Sequence, residues 1–102
     1  MRKIVFACAI FLGFTGIAGA SELGIASYYQ NPYHGGLIAA HKTLPFGAKV
    51  RVVNLDNGRS AVVTIVDRGP FIRGRIIDVS PVAANVLGFR QAGLAHVRIE
   101  RI

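Results

Sequence analysis

Two short apolar runs, each carrying an aspartate, limit what this chain can fold into. Ser60 to Val66 is rich in β-branched residues and reads as a buried strand. It ends at Asp67, because Gly69-Pro70 breaks the run just beyond. Arg75 to Val79 is a second run, with Asp78 inside it and Ser80-Pro81 directly after. A carboxylate among Ile76, Ile77 and Val79 is costly unless it is paired, hydrogen-bonded or protonated. Both acids therefore need a reason to be where they are, and Arg68, Arg73 and Arg75 lie between them.

The rest of the chain reads as short strands around one short helix. Gly24 to Tyr29 predicts a first strand, ended by the turn-prone Gln30-Asn31-Pro32. Tyr28, Tyr29 and Tyr33 offer ring faces to a sugar, or pack in a half-buried sheet. Leu37 to Gly47 reads as a punctuated connection in which His41 is either a site residue or a satisfied buried polar group. Ala48 to Asn54 alternates Lys49 and Arg51 against Val50 and Val52, and Asn57-Gly58 supplies a tight hairpin turn that also accounts for Asp56. Ser80 is a helix N-cap with Pro81 at the first helical position, and Gly88 closes the helix after Leu87. Gly93 to Ile102 alternates again as a last strand, with His96 on its wet face. Many short strands, one helix and no repeats predict a mainly β fold, a small closed barrel.

Length and composition set the outer bounds. The chain has 102 residues, enough for a single domain. Arg2-Lys3, the apolar stretch Ile4 to Phe14 and Ala18-Gly19-Ala20 make residues 1–20 a signal peptide, with the domain running from 21 to 102 and export to the periplasm or cell envelope. Too little apolar sequence precedes Cys8 for lipidation there. Past residue 20 no cysteine remains, which removes disulfides and cysteine zinc clusters, and three scattered histidines do not make a metal site. No cofactor is expected. Past residue 20, ten basic residues against five acidic ones favour a polyanionic partner. Export and the lack of a Lys/Arg run or of basic-aromatic interleaving argue against nucleic acid.

Several blocks appear together in one order: Ala26-Ser27-Tyr28-Tyr29, Tyr33-His34-Gly35, Ala39-Ala40-His41-Lys42-Thr43-Leu44-Pro45-Phe46-Gly47, Val53-Asn54-Leu55-Asp56-Asn57-Gly58-Arg59, Asp67-Arg68-Gly69-Pro70-Phe71 and Gly74-Arg75-Ile76-Ile77-Asp78-Val79-Ser80. In this the chain resembles the rare lipoprotein A (RlpA) family. The resemblance implies a six-stranded double-psi β-barrel related to expansins and lytic transglycosylase action on peptidoglycan strands free of stem peptides; a monomer is expected. Such an enzyme cleaves between N-acetylmuramic acid and N-acetylglucosamine and leaves a 1,6-anhydro end. Two departures stand out. Family members usually carry a second, peptidoglycan-binding domain, for which this sequence has no counterpart, and only Gly36, Leu37 and Ile38 separate Gly35 from Ala39, where the family carries roughly ten residues including a glutamate.

The resemblance places the essential aspartate at Asp67. One carboxyl group serves both halves of such a reaction, as acid to the leaving oxygen and then as base to the attacking C6 hydroxyl. Asp67 must then arrive protonated, so burial has to outweigh the pull of Arg68. Asp78 is a second catalytic carboxylate or a structural acid satisfying backbone N–H groups. His41 orients the sugar or Asp67, while Arg68, Tyr28 and Tyr33 are candidate substrate contacts. The alternative function is a non-catalytic, expansin-like module that binds and loosens glycan, as the missing glutamate segment suggests.

Overall fold

The computed structural model describes residues 21–102; the expected signal peptide lies outside the described residues. The elements are β1 (Ser21–Tyr28), β2 (Ile38–His41), β3 (Lys49–Asn54), β4 (Ser60–Asp67), β5 (Arg75–Val79), α1 (Pro81–Leu87) and β6 (Ala95–Arg101). The strands close into a barrel in the order β1-β5-β2-β4-β3-β6, and β6 returns to pair with β1. The β1–β5 and β2–β4 pairs are parallel, and the remaining neighbours are antiparallel. Among the described residues, closure leaves no strand of the barrel as an unpaired sheet edge.

Strand alternation fills the interior. Val50 and Val52 of β3, Val63 and Ile65 of β4, Ile77 and Val79 of β5, and Val97 and Ile99 of β6 all point into the core. Lys49 and Arg51 stay outside, as their alternation with the valines requires. At Gly24 a Cβ would come within 2.5 Å of Ile76 Cγ2, so β1 and β5 approach as closely as they do only because no side chain stands there.

Helix α1 begins and ends where its capping residues predict. Ser80 Oγ accepts from the Ala83 amide at 3.3 Å, Pro81 opens the helix, and Gly88 closes it at φ 78°, a left-handed conformation that glycine adopts without steric cost. Ala83, Ala84 and Leu87 bury against the barrel. The helix end is fastened to the β3–β4 hairpin: Asn54 Nδ2 and Asn57 Nδ2 each donate to the Leu87 carbonyl at 2.9 Å. Asn54 is buried and its Oδ1 accepts from the Asp56 amide, so both the nitrogen and the oxygen of this side chain are engaged. His96, expected on a wet face, is exposed there and sits 3.3 Å from Asp56 Oδ1.

Two elements depart from the sequence expectation: β1 begins at Ser21 and not at Gly24, because Ser21, Glu22 and Leu23 pair with β6, and a further strand, β2, is present. Ile38–His41 forms β2, at the centre of the β5-β2-β4 array, where the sequence predicts only a connection. Four residues, two of them alanine, carry little strand propensity of their own. Pairing with β4 on one side and β5 on the other supplies the order.

Candidate active site

The mixed strand order gathers residues from four strands into one row. Ala40 of β2 is in register with Asp67 of β4 and with Asp78 of β5, and Asp78 is in register with Ser27 of β1. The row across the barrel therefore runs Ser27, Asp78, Ala40, Asp67. Its two aspartates stand two strand spacings apart, roughly 10 Å between backbones. Both are half-buried.

Asp78 faces outward because Ile77 and Val79 on either side of it fill the core. Asp67 reaches the same face by a different route. Simple alternation would send it inward after Val63 and Ile65. The register is irregular here, however: Ala39 pairs with Ile65 and Ala40 with Asp67, which leaves Val66 as an extra residue. An added residue of this kind re-aims the side chain that follows it.

Each carboxylate is held by a hydroxyl from the N-terminal part of the domain. Ser27 Oγ donates to Asp78 Oδ1. Tyr29 Oη donates to Asp67 Oδ2 at 3.0 Å, and Asp67 Oδ1 accepts from the Arg68 amide at 2.8 Å. Behind Tyr29 stands Asn31, which is buried; its Nδ2 donates to Tyr29 Oη at 2.9 Å. Asn31 Oδ1 in turn accepts from the amides of Tyr33 and His34 at 2.8 and 3.0 Å. The 31–34 loop thus orients Asp67 through Asn31 and Tyr29. Sequence reasoning did not single out Ser27 and Asn31, and it considered Tyr29 only as a sugar-stacking ring, although alternation from β1 onward places Ser27 and Tyr29 on one face.

Burial is the largest cause raising the Tyr29 phenol above its ordinary pKa; donation from Asn31 opposes it, and the bond to Asp67 and the charges of Asp67 and Asp78 add to it. The folded state therefore holds this proton more tightly than the unfolded chain. Its contribution to stability is complete below about pH 10 and is lost as pH rises through the raised value. Denaturant titrations from pH 8 to 11 should show wild-type stability falling more steeply above pH 10 than that of Tyr29→Phe. Parallel curves for the two proteins would mean that Tyr29 gains nothing from this setting.

His41 lies on the other side of β2 from Ala40 and is buried. Its Nδ1 accepts from the amides of Thr43 and Leu44, both at 3.1 Å. That leaves the proton on Nε2, which donates to Glu22 Oε1 at 3.0 Å. The ring borders a hollow of about 180 Å³ shared with Glu22 and Arg101. Among the described residues no hydrogen bond joins the His41 ring to either aspartate. Its link to the row is through the backbone: Arg68 donates from one guanidinium nitrogen to the carbonyls of His41 and Leu44, at 3.2 and 2.7 Å. The same guanidinium lies 4.2 Å over the Phe46 ring, and among the described residues Arg68 makes no ion pair with Asp67.

The tyrosines separate. Tyr28 donates to the Arg90 carbonyl at 3.0 Å and packs edge-on against Phe89. Tyr33 is 87% exposed, and its ring stands open to solvent. A second hollow, of about 300 Å³, lies between the 30–36 loop and α1, with Asn31 in its wall. Among the described residues no cluster of three or more His, Cys, Asp or Glu is placed to hold a metal ion.

A closed six-stranded barrel of mixed pairing, with a carboxylate row across its outer face, belongs to the double-psi β-barrel class. Residues 23–99 match the family described as lytic transglycolase, and the chain belongs to that family. It is similar to the endolytic peptidoglycan transglycosylase RlpA of Vibrio cholerae, with 50% identity over 96 residues, covering 82% of this chain and 36% of that protein. It is also similar to the probable endolytic peptidoglycan transglycosylase RlpA of Nostoc sp., with 62% identity over 64 residues, 63% of this chain and 17% of that one. In fold it matches an expansin of Clavibacter michiganensis, solved in complex with cellohexaose, at a TM-score of 0.67 and 15% identity over 80% of this chain and 50% of that chain. The RlpA resemblance and the expected barrel are borne out.

The chain spans about a third of the length of the Vibrio relative. Within the matched region it is also shorter. The Vibrio match runs over 96 positions, whereas 82% of the 102-residue chain is about 84 residues. About a dozen positions of that match therefore face no residue here.

Proposed function

We propose that this domain is a lytic transglycosylase acting on peptidoglycan strands free of stem peptides, cleaving the MurNAc–GlcNAc bond and leaving 1,6-anhydroMurNAc ends. The observation that carries this reading is the alignment of Asp67 and Asp78 on one face of the barrel, each half-buried and held by a hydroxyl. Membership of the lytic transglycolase family supports it. In the productive complex Asp67 gives its proton to the glycosidic oxygen as the C1–O bond breaks. It then takes the proton of the C6 hydroxyl, whose oxygen forms the new bond to C1. The proton count closes on Asp67 and no water is consumed.

The other residues support this centre. Tyr29 holds the Asp67 carboxyl in one orientation, and Asp78, across Ala40, stabilises positive charge developing at C1. His41 braces the 43–44 turn and presents the carbonyl that Arg68 grips, so it acts on the site by positioning. Arg68, Tyr28 and Tyr33 are the proposed substrate contacts. We place the working domain at residues 21–102, exported to the cell envelope and acting as a monomer.

Incubating the domain with denuded peptidoglycan and analysing the products by mass spectrometry is the direct test. Release of 1,6-anhydro ends is expected, and intact mass of the exported protein should begin at Ser21. Reducing-end products would overturn the transglycosylase reading in favour of hydrolysis, and no cleavage at all would overturn the enzymatic reading. A second reading is a non-catalytic glycan-binding module, and the dozen positions missing relative to the Vibrio protein favour it. Binding of denuded glycan without any cleavage would establish it.

A further inference from the structure

The second hollow contains a cation that the catalytic row does not use. Arg90 lines it together with Gln30, Asn31, His34 and Asn85, and no aspartate or glutamate contributes to the wall. The Arg90 guanidinium lies 5.4 Å over the Tyr28 ring. The Tyr28 hydroxyl fixes the same residue from below by donating to its carbonyl. Among the described residues the Arg90 side chain has no ion pair and donates no hydrogen bond. Arg68 differs, because one of its nitrogens is already committed to two carbonyls. A guanidinium oriented on an aromatic face, with its donor fork unfilled, is set to receive a carboxylate.

We infer that this hollow is a subsite for a sugar residue bearing a free carboxylate, with Arg90 as its anchor. The inference rests on the glycan reading above and names which residue of the glycan the hollow selects: muramic acid whose lactyl carboxylate is bare because no stem peptide is attached. About 300 Å³ suits one small ring and its substituents. The side-chain amides of Gln30 and Asn85 offer donors and acceptors to hydroxyl and N-acetyl groups. Asn31 is shared with the catalytic row, two hydrogen bonds from Asp67 by way of Tyr29. A sugar seated in the hollow therefore places the next glycosidic bond beside the row. A stem peptide would convert the lactyl carboxylate to an amide and remove the charge Arg90 recognises, so the hollow selects denuded strands. Besides its proposed contact with substrate, Tyr28 positions Arg90.

The test compares binding of three soluble ligands by titration calorimetry at low salt: denuded GlcNAc–MurNAc oligosaccharide, the same oligosaccharide with its carboxylates reduced to alcohols, and chitohexaose. Wild-type protein should bind the native oligosaccharide on the order of tenfold more tightly than its reduced form, the scale of one charge-assisted pair. Arg90→Gln should lose that preference and leave chitohexaose affinity unchanged. Arg90→Lys, which keeps charge without the fork, should recover only part of it. Equal affinity of wild-type protein for native and reduced ligands overturns the inference without recourse to any variant, as does a preference that survives in Arg90→Gln. Cleavage is scored separately. Carboxylate preference without anhydro products leaves the subsite standing and defeats the enzymatic reading, whereas cleavage without preference does the reverse.

Discussion

Asp67→Asn is expected to abolish release of 1,6-anhydro ends while leaving the barrel and its glycan affinity nearly intact. The amide keeps the shape of the side chain and one acceptor oxygen. Tyr29, which now donates to Asp67 Oδ2, has a hydroxyl that can also accept from the new NH₂ group, so the local network has a way to persist. What the amide cannot do is hand a proton to the leaving oxygen or remove one from the C6 hydroxyl. General acid–base help is typically worth about 10²- to 10⁴-fold in rate, so turnover should fall by that order against an unchanged melting temperature. Single-turnover cleavage of denuded glycan, followed by mass spectrometry, provides the measurement. A variant that still cuts at a tenth of the wild-type rate would remove Asp67 from the acid–base role.

The companion expectation concerns Asp78→Asn, which should remain folded and lose turnover on the order of 10²-fold, as happens when a preorganised charge is withdrawn from a transition state. As a structural acid, Asp78 would be expected to satisfy buried backbone N–H groups. Its hydrogen bond among the described residues comes instead from the Ser27 hydroxyl on the outer face, and an amide oxygen still accepts that bond. Thermal unfolding and kcat measured on one preparation separate the possibilities. If activity falls only in proportion to the unfolded fraction, Asp78 is a structural acid and Asp67 works without a carboxylate partner.

Local signals in the chain were legible. Ser80-Pro81 and Gly88 bound α1 at the residues where it starts and stops, because capping depends on a few neighbouring side chains. Asn57-Gly58 marked the turn between β3 and β4, and β-branched alternation marked β3, β4, β5 and β6. The two aspartates were conspicuous for the same kind of reason, since a carboxylate next to buried aliphatic residues needs a partner whatever the fold. Strand β2 was not legible: Ile-Ala-Ala-His is ordered by the two strands flanking it, and nothing within four residues reports them.

The sequence by itself therefore determined the identities of the acids, most of the strands, the helix with both caps, and the family to which the blocks belong. Tertiary structure alone decided how they meet. The parallel β1–β5 and β2–β4 pairings bring Ser27, Asp78, Ala40 and Asp67 into one row from four separate parts of the chain. One extra residue at Val66 turns Asp67 out of the core, against the alternation of its own strand. The same pleat sends His41 to the opposite side of β2, where Glu22 and two backbone amides occupy its ring. Propensity and capping act over a few residues and can be read along the chain. Register and strand order arise from the simultaneous fit of all six strands around one core, so the direction of a side chain at a strand end is set only when the barrel closes.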